Sequence, residues 1–276
     1  MKKVLCLLCL FVLGFSLVSC GGNEGGNSKE GVLVVGMECD YAPFNWTETS
    51  KTETNVAISN ISGAYAEGYD VQVARKIAEG LGLTLEIKAY VWDGLIPALN
   101  NNEIDLIIAG MSPTEERKIS IDFTEGYYRS THVLLVRSDS QYANATKMED
   151  FAGAKVAGQI NTIYADLVPQ IVAKGAIAGQ DLKTVPLLLT SLKNGVIDGT
   201  ILEEPVAYGL CQADSSLSYV KFTNGGFDVA EEDVLVSIGV RKGYSLTSQI
   251  NEILVSISEA DRIQIMNEAV MKNSGE

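Results

Sequence analysis

Short apolar segments alternate along this chain with segments whose apolar residues recur at helical spacing. Residues 32–35 form a compact apolar run, and a run of about four to eight such residues is typical of a buried strand. Further along, Val73, Ile77 and Leu81 recur at every fourth position and Gly82 follows them, which predicts an amphipathic helix and its end. Because strands that alternate with helices favour a parallel sheet covered by helices, we predict an α/β protein.

The alternation continues along the sequence and falls into two series. We predict a polar loop between Trp46 and Ala66, helices that begin at Leu95 and near Thr162, and an amphipathic segment at 250–270. Further strands are predicted at 83–87, 104–109, 133–136, 155–157, 198–202 and 234–240. Since no sequence repeat relates the two series, we expect two α/β lobes that share only an architecture.

The first nineteen residues have the three regions of a secretory signal peptide. Lys2 and Lys3 precede an apolar run at 4–18, which is shorter than the roughly 20 residues of a membrane-spanning helix. Residues 17–20 resemble the bacterial lipobox, which implies that Cys20 is diacylated, with palmitate as an expected acyl group, and begins the mature protein. The alternative is an ordinary cleavage site that happens to contain a cysteine.

A flexible tether is predicted after the signal peptide. Residues 21–28 are almost all Gly, Asn and Ser, a composition that behaves as a flexible coil. We therefore predict a lipidated tether at 20–30 that holds an exported protein at the cell membrane, facing the periplasm or the cell exterior. In the folded part only Cys39 and Cys211 remain, and their wide separation predicts two free, largely buried thiols.

Charge and composition exclude several classes of function. The formal net charge is −14, and loss of Lys2 and Lys3 with the signal takes it to −16, which disfavours nucleic acid as a partner. The single histidine, His132, excludes a metal site built from several histidines, and we predict that it begins a strand. The sequence holds no Walker loop and no glycine-rich dinucleotide motif after a strand, so we expect no cofactor and no metal.

Several short motifs, each weak alone, have an order and spacing that identify a family. They are Tyr-Ala-Pro-Phe at 41–44, Gly-Tyr-Asp-Val at 68–71, Trp-Asp-Gly-Leu-Ile-Pro-Ala-Leu at 92–99, and the segments 104–112, 114–117 and 122–124. With these motifs the chain resembles the polar amino acid binding proteins of ABC importers over nearly all of 31–276.

The resemblance implies a type 2 periplasmic binding protein fold, in which a two-strand hinge joins two α/β lobes and a ligand cleft lies between them. Lobe one would comprise 31–130 plus 237–276, and lobe two 131–236. The implied function is capture of an amino acid by hinge closure and its delivery to a membrane permease. We expect a monomer that is not an enzyme, with arginine, lysine, glutamine or histidine as its ligand.

Arg117 is the predicted clamp for the ligand's carboxylate, because a guanidinium can donate two parallel charge-assisted hydrogen bonds to a carboxylate. The alternative is a surface arginine that pairs with Glu115 or Glu116 within its own helix turn. By resemblance, Ser112 adds contacts to the carboxylate, and the Gly110 carbonyl accepts a hydrogen bond from the ligand's ammonium.

The resemblance places two further groups in lobe two. Glu203 matches the family's acidic position, often aspartate, that meets the ligand's ammonium. Glu204 is the fallback, and the alternative is that both are solvated loop carboxylates. Thr162 matches a threonine near the ligand's carboxylate, at a predicted helix N-terminus that favours an anion.

The remaining predicted contacts surround the ligand's side chain. By resemblance Tyr41 and Trp92 flank it, since aromatic faces suit aliphatic stems, amides and cations; ordinary core packing is the alternative. Glu38 matches the family's acidic position at the distal end of the ligand. A buried carboxylate there needs a cationic or hydrogen-bond-donating partner.

Two other classes of function stay open at this point. A dehydratase or lyase on the same two-lobed fold would need an acid or base at the reacting carbon, for which Glu38 and Glu203 are the candidates. A sensory ligand-binding protein is the third hypothesis. We expect it less, because neither a membrane span nor a signalling domain follows the last predicted helix.

Overall fold

The structure is a computed structural model that describes residues 31–223 and 225–274. The predicted signal peptide, Cys20 and the tether lie outside the described residues. The strands of the described part are β1 (Val32–Met37), β2 (Asp40–Tyr41), β3 (Asn45–Glu48), β4 (Val56–Ala57), β5 (Tyr65–Glu67), β6 (Thr84–Ala89), β7 (Leu106–Ile107), β8 (Asp122–Arg129), β9 (His132–Arg137), β10 (Lys155–Ala157), β11 (Ile177–Ala178), β12 (Gly199–Glu203), β13 (Leu217–Val220) and β14 (Leu235–Val240).

Helices connect most of these strands. The α-helices are α1 (Tyr69–Leu81), α2 (Leu95–Asn100), α3 (Glu115–Ser120), α4 (Ile163–Val172), α5 (Val185–Lys193), α6 (Glu204–Ala213), α7 (Thr247–Ser256) and α8 (Glu259–Ser274). Short 3-10 helices occupy Trp92–Gly94, Met148–Phe151 and Glu231–Val234. Within residues 31–223 and 225–274, no helix is long and apolar enough to cross a membrane.

Two five-stranded sheets organise the fold. The first has the order β6-β1-β7-β14-β8, in which β1 is parallel to β6 and β7, and β14 is antiparallel to both of its neighbours. The second has the order β11-β10-β12-β9-β13, in which β10 is parallel to β11 and β12, and β9 is antiparallel to both of its neighbours. The predicted α/β class is confirmed.

Each sheet contains parallel pairs, as the alternation of strands and helices predicts, and also antiparallel pairs, which the sequence did not indicate. A parallel neighbour requires a crossover connection, usually a helix. The chain enters β9 directly from β8 of the other sheet, and it enters β14 from β13 of the other sheet without an intervening α-helix. These two strands are the antiparallel ones. The prediction that His132 begins a strand is confirmed, since it is the first residue of β9.

The chain therefore passes between the two sheets twice, and the two passages touch. The backbone N–H of Ser130 donates to the carbonyl of Val234 at 2.9 Å. The domain limit predicted at 236 falls inside β14, which belongs to the first sheet over its whole length. The division into lobes at these positions stays a prediction.

Helix α1 packs against the first sheet, and its bounds follow from the local sequence. Its buried face carries Tyr69, Val73 and Ile77, each at most 1 % exposed. The helix ends at Gly82, whose φ of 67° is left-handed and suits a residue without a Cβ. It begins after Gly68, where φ is 126° and a Cβ would lie 2.4 Å from the Phe44 carbonyl oxygen, so only glycine fits there.

Two predicted segments differ in the structure. The residues between Trp46 and Ala66, predicted as a loop, take part in β3, β4 and β5 of a four-stranded antiparallel sheet. The segment predicted at 250–270 divides into α7 and α8 because Ser258 caps the second helix. Its hydroxyl accepts from Asp261 N at 3.1 Å and donates to Asp261 Oδ2 at 2.7 Å, as an N-cap residue does.

Both predicted thiols are free. Cys39 is buried, whereas Cys211 is only partly buried. Burial raises the pKa of Cys211 to about 11 and that of Cys39 to about 12. Both sulfurs are therefore protonated at neutral pH, and the expectation of two free thiols is confirmed.

Candidate functional site

The residues that follow β1, β7 and β10 meet in one cavity. These strands end at Met37, Ile107 and Ala157, so the cavity lies at the carboxyl ends of parallel strands, where ligands bind in open α/β sheets. Seven of the eight predicted ligand contacts line it. The lining residues are Glu38, Tyr41, Trp92, Ala109, Gly110, Ser112, Arg117, Gln159, Thr162, Ile163 and Tyr164.

Side chains from the two halves of the fold pair with each other across this cavity. Tyr41 Oη donates to Tyr164 Oη at 3.3 Å, and Gln159 Nε2 donates to Glu38 Oε1 at 3.0 Å. The cavity volume is about 10 Å³, roughly what one water molecule needs. While these cross-cavity contacts persist, the cavity has no room for a molecule much larger than water.

Arg117 lies in the first turn of α3 and faces the cavity. Its Nη1 donates to the Ser112 carbonyl at 2.8 Å, and its Nη2 donates to the Asn161 carbonyl at 3.4 Å. The guanidinium carbon lies 5.0 Å from the centre of the Trp92 ring, a cation–π distance. Burial lowers the pKa of Arg117, but a guanidinium stays protonated in proteins.

Within the described residues, Arg117 has no carboxylate at ion-pair distance. Glu115, one of the two partners considered from the sequence, pairs instead with Lys118 at 2.8 Å. The carbonyl oxygens that Arg117 contacts carry only partial charges. The carboxylates of Glu116, Asp166 and Asp233 attract the guanidinium only through longer-range electrostatics, so Arg117 has no directly bonded counter-ion among the described residues.

The segment after β7 brings its backbone to the cavity. Gly110 has a φ of 62°, and a Cβ there would lie 3.0 Å from the Tyr41 ring, so the position requires glycine. Ser112 Oγ donates to the carbonyl of Asp233 at 3.2 Å, just before β14. The Ser112 side chain thus ties this segment to the second passage between the sheets.

Glu38 is a buried acid, with 9 % of its surface exposed. The pKa of Glu38 is raised to about 8: burial is the largest cause, the nearby carboxylates of Asp40 and Asp93 contribute to the rise, and the hydrogen bond from Gln159 opposes it. The carboxyl group is therefore neutral at pH 7 in this arrangement. A cation beside it would favour the ionised form.

Trp92 and Asn161 meet at the edge of the cavity. Trp92 Nε1 donates to the Asn161 carbonyl at 2.9 Å, and Asn161 Nδ2 donates to Asp93 Oδ1 at 2.8 Å. The φ of Asn161 is 60°, a left-handed conformation that asparagine tolerates better than most residues. The Asn161 carbonyl thus accepts hydrogen bonds from both Trp92 and Arg117, which belong to the opposite half of the fold.

Thr162 is the N-cap of α4. Its Oγ1 accepts from Tyr164 N at 3.2 Å and donates to the Gln159 carbonyl at 2.7 Å. Both hydrogen bonds of the Thr162 hydroxyl are made within its own turn. They stabilise the turn on which Gln159 and Tyr164 are placed at the cavity.

Glu203 is the predicted contact residue that does not line the cavity. It ends β12 beside His132 of β9 and is 2 % exposed. Burial raises its pKa well above the usual range, and its Oε2 has no hydrogen-bond partner among the described residues. Glu204, the fallback, accepts from Thr131 Oγ1 at 2.8 Å and pairs with Lys221 at 2.7 Å.

A larger groove of about 920 Å³ adjoins the cavity and shares Trp92, Arg117 and Ile163 with it. Seven acidic residues line this groove, against one basic residue, Arg117. The acidic residues are Asp93, Glu115, Glu116, Asp166, Asp181, Glu232 and Asp233. Such a concentration of one charge attracts cations and repels anions.

The cross-cavity partners Gln159 and Tyr164 were not predicted from the sequence. Both lie within two or three residues of Thr162, at the carboxyl end of β10 and in the first turn of α4. That location was the available signal, because polar and aromatic residues just beyond a strand of an α/β sheet are candidates for ligand contact.

Comparisons with known proteins agree with this architecture. Residues 33–272 match the bacterial extracellular solute-binding proteins, family 3. The chain is 28 % identical to the arginine-binding extracellular protein ArtP of Bacillus subtilis (strain 168), over 96 % of each protein. It is 29 % identical to a probable histidine-binding protein of Campylobacter jejuni subsp. jejuni serotype O:2, over 82 % of this chain and 84 % of that one.

A solved structure extends the likeness to the fold. The amino acid ABC transporter substrate-binding protein AbpA of Streptococcus pneumoniae, bound to L-arginine, has a TM-score of 0.72 at 25 % identity, over 90 % of this chain and 97 % of that one. The resemblance identified from the motifs is thereby confirmed, and with it the type 2 periplasmic binding protein fold. This chain belongs to the bacterial extracellular solute-binding proteins, family 3.

Proposed function

We propose that this protein captures one amino acid between its two halves and delivers it unchanged to an ABC importer. The observation that carries the proposal is Arg117, a guanidinium without a carboxylate partner among the described residues, in a cavity that also holds the buried carboxyl of Glu38. These groups suit a ligand with a carboxylate at one end and a cation at the other. An amino acid with a cationic side chain meets both requirements.

In this proposal Arg117 binds the ligand's carboxylate. The carboxylate replaces the weak contact to the Asn161 carbonyl, at 3.4 Å, with charge-assisted hydrogen bonds. Ser112 and Thr162 line the same cavity. The N-terminus of α4 adds a partial positive charge that favours an anion.

The ligand's ammonium is assigned to Glu203 and to the Gly110 carbonyl. Support for Glu203 comes from its orphaned Oε2, because a buried oxygen without a donor is costly and an ammonium would supply one. Opening and reclosing of the cleft would have to bring this carboxyl to the ligand, since it lies outside the lining of the paired cavity.

The ligand's side chain would lie between Tyr41 and Trp92 and reach Glu38. The acidic groove favours a cation over an anion, and a cation beside Glu38 would favour the ionised form of its carboxyl. ArtP is named as arginine-binding, and AbpA was solved with L-arginine. We therefore place arginine first, with lysine, histidine and glutamine after it.

Capture would proceed by closure of two lobes, 31–130 plus 237–276 and 131–236, about the two passages between the sheets. A ligand stabilises the closed form only through contacts that the open form lacks. Here the ligand would replace the pairs Tyr41–Tyr164 and Glu38–Gln159 as the link between the halves.

Location follows from the family and from the N-terminal sequence. The family is extracellular, and we propose that the signal peptide at 1–19 is removed and that Cys20 carries the lipid. A lipid tether would hold the monomer beside its permease at high effective concentration. Mass spectrometry of the membrane fraction should find a diacylated N-terminal cysteine; a soluble product without lipid would contradict the anchor.

A thermal-shift screen of the mature protein against single amino acids tests the function. At about one hundred times its dissociation constant, a ligand adds roughly 2.7 kcal/mol to the stability of the folded state, which corresponds to a rise of about 5–10 °C in Tm. We expect the largest rise with L-arginine, and mass spectrometry should recover the ligand intact. No rise with any amino acid, or turnover of the ligand, would contradict the proposal.

A further inference from the structure

A buried acid lies next to the cavity, outside the groups assigned to the ligand. Asp70, the second residue of α1, is fully buried, and among the described residues no lysine or arginine forms an ion pair with it. Burial raises the pKa of Asp70 to about 6, and hydrogen bonds from Tyr127, Asn45 and the Gly110 backbone oppose the rise. A buried carboxylate without a cation is costly, so its hydrogen bonds must compensate.

One carboxylate oxygen of Asp70 connects to the segment after β7. Tyr127 Oη donates to Asp70 Oδ1 at 2.7 Å, and the same Oη accepts from the backbone N–H of Gly110 at 3.4 Å. Tyr127 is itself 1 % exposed and stacks on Tyr69. This chain of hydrogen bonds ends on Gly110, which lines the cavity.

The other oxygen connects to the segment after β1. Asn45 Nδ2 donates to Asp70 Oδ2 at 2.8 Å, and Asn45 Oδ1 accepts from Cys39 N at 2.7 Å. Cys39 has a φ of 60°, which is costly for a residue with a side chain. The Cys39 carbonyl also accepts a hydrogen bond from Thr47 Oγ1 at 2.8 Å.

We propose that Asp70 is a positioning residue for the ligand cleft. A single buried carboxylate fixes Gly110 through Tyr127 and fixes the Glu38–Cys39 segment through Asn45, so that the contacts for the ligand's ammonium and for its distal end keep a set separation. This inference rests on the proposed function, because it concerns the same cavity. Sites that hold their contact groups in advance bind more tightly, since less order is lost on binding.

The test compares Asp70→Asn with a matched buried acid. Asp105 accepts from Val34 N at 3.0 Å and pairs with Arg241 at 3.2 Å. It precedes β7, whereas Gly110 follows that strand, so Asp105→Asn disturbs the same sheet at the end away from the cavity. Tyr127→Phe is the milder second variant, because it removes the hydroxyl and keeps the stacked ring.

Calorimetry with L-arginine, L-histidine and L-glutamine gives the first measurement, at a temperature where each variant is folded. We expect Asp70→Asn and Tyr127→Phe each to weaken binding by about tenfold or more. Asp105→Asn should lower Tm but keep the wild-type dissociation constant. Wild-type affinity in both Asp70→Asn and Tyr127→Phe, or an equal loss in Asp105→Asn, would overturn the proposal.

Backbone amide NMR of the protein without ligand gives the second measurement, which stands even if none of these amino acids binds. Asp70→Asn should shift the amide resonances of both Gly110 and Cys39, and Tyr127→Phe should shift Gly110 more than Cys39. Resonances of Gly110 and Cys39 that stay in place in Asp70→Asn would overturn the inference. Absence of binding by the wild type would instead count against the proposed function.

Discussion

At the scale of single residues, the cavity is built from groups held in costly states. Cys39 and Asn161, two of the three non-glycine residues with positive φ in the described residues, adjoin it on opposite sides. Glu38 and Glu203 are buried acids whose pKa values burial raises, and Arg117 has no carboxylate at ion-pair distance among the described residues. Such states persist only where the surroundings impose them, and they concentrate at binding sites.

Arginine affinity should depend on the protonation of Glu38. Its pKa is about 8 in the paired cavity, against an ordinary value of 4.5. Protonation therefore stabilises the paired cavity fully below about pH 4.5, and this stabilisation is lost as the pH rises through about 8. A cationic ligand needs the ionised carboxyl, so its affinity should rise over the same range.

Calorimetric titration of L-arginine between about pH 5 and pH 8 measures this dependence. The variant Glu38→Gln should bind more weakly and lose most of the rise, because it has no carboxyl group to ionise. A wild-type affinity that stays constant over this range would contradict the assignment of Glu38 to the ligand's distal end.

At the scale of elements, periodic segments were predictable and short ones were not. The spacing of Val73, Ile77 and Leu81 located α1, which ends at Leu81 as expected. By contrast, β3, β4 and β5 contain two to four residues each, too few to show a period of two. The break at Ser258 was missed because it depends on one capping side chain and not on hydrophobic periodicity.

The close approach of β10 and α4 gives a prediction at this scale. A Cβ on Gly158 would lie 2.4 Å from Ala165 N and 2.6 Å from Tyr164 C, which are backbone atoms in the first turn of α4. Gly158→Ala should therefore cost at least about 1–3 kcal/mol of stability and weaken ligand binding, since the turn that carries Tyr164 must move.

Gly226→Ala is the control for this substitution, because no atom lies within 4 Å of the Cβ built there. Urea unfolding of both variants measures the difference in stability, and calorimetry measures the difference in affinity. Equal stability of Gly158→Ala and Gly226→Ala would show that the turn adapts and that the contact is not restrictive.

At the scale of the whole molecule, the site depends on how two separate sheets are placed. The motifs and the family resemblance were enough to name seven of the eight candidate residues that share the cavity. They could not give the pairing of Glu38 with Gln159 or of Tyr41 with Tyr164, because those contacts join residues 121 and 123 positions apart. Nor could they show that Glu203 lies buried outside the cavity lining, since burial of one side chain depends on packing across the sheet.

The central claim is that the cleft binds the carboxylate of an amino acid through Arg117. The most direct measurement is a calorimetric titration of L-arginine into the wild type, Arg117→Ala and Arg75→Ala. Arg75 is an exposed arginine of α1 whose side chain donates to the carbonyls of Glu53 and Thr54. Loss of a buried charge partner costs about 2–5 kcal/mol, or at least about 30-fold in affinity. We predict that the wild type and Arg75→Ala bind L-arginine one-to-one with micromolar or tighter affinity. Arg117→Ala should bind it at least about 30-fold more weakly. Unchanged affinity in folded Arg117→Ala would contradict the account.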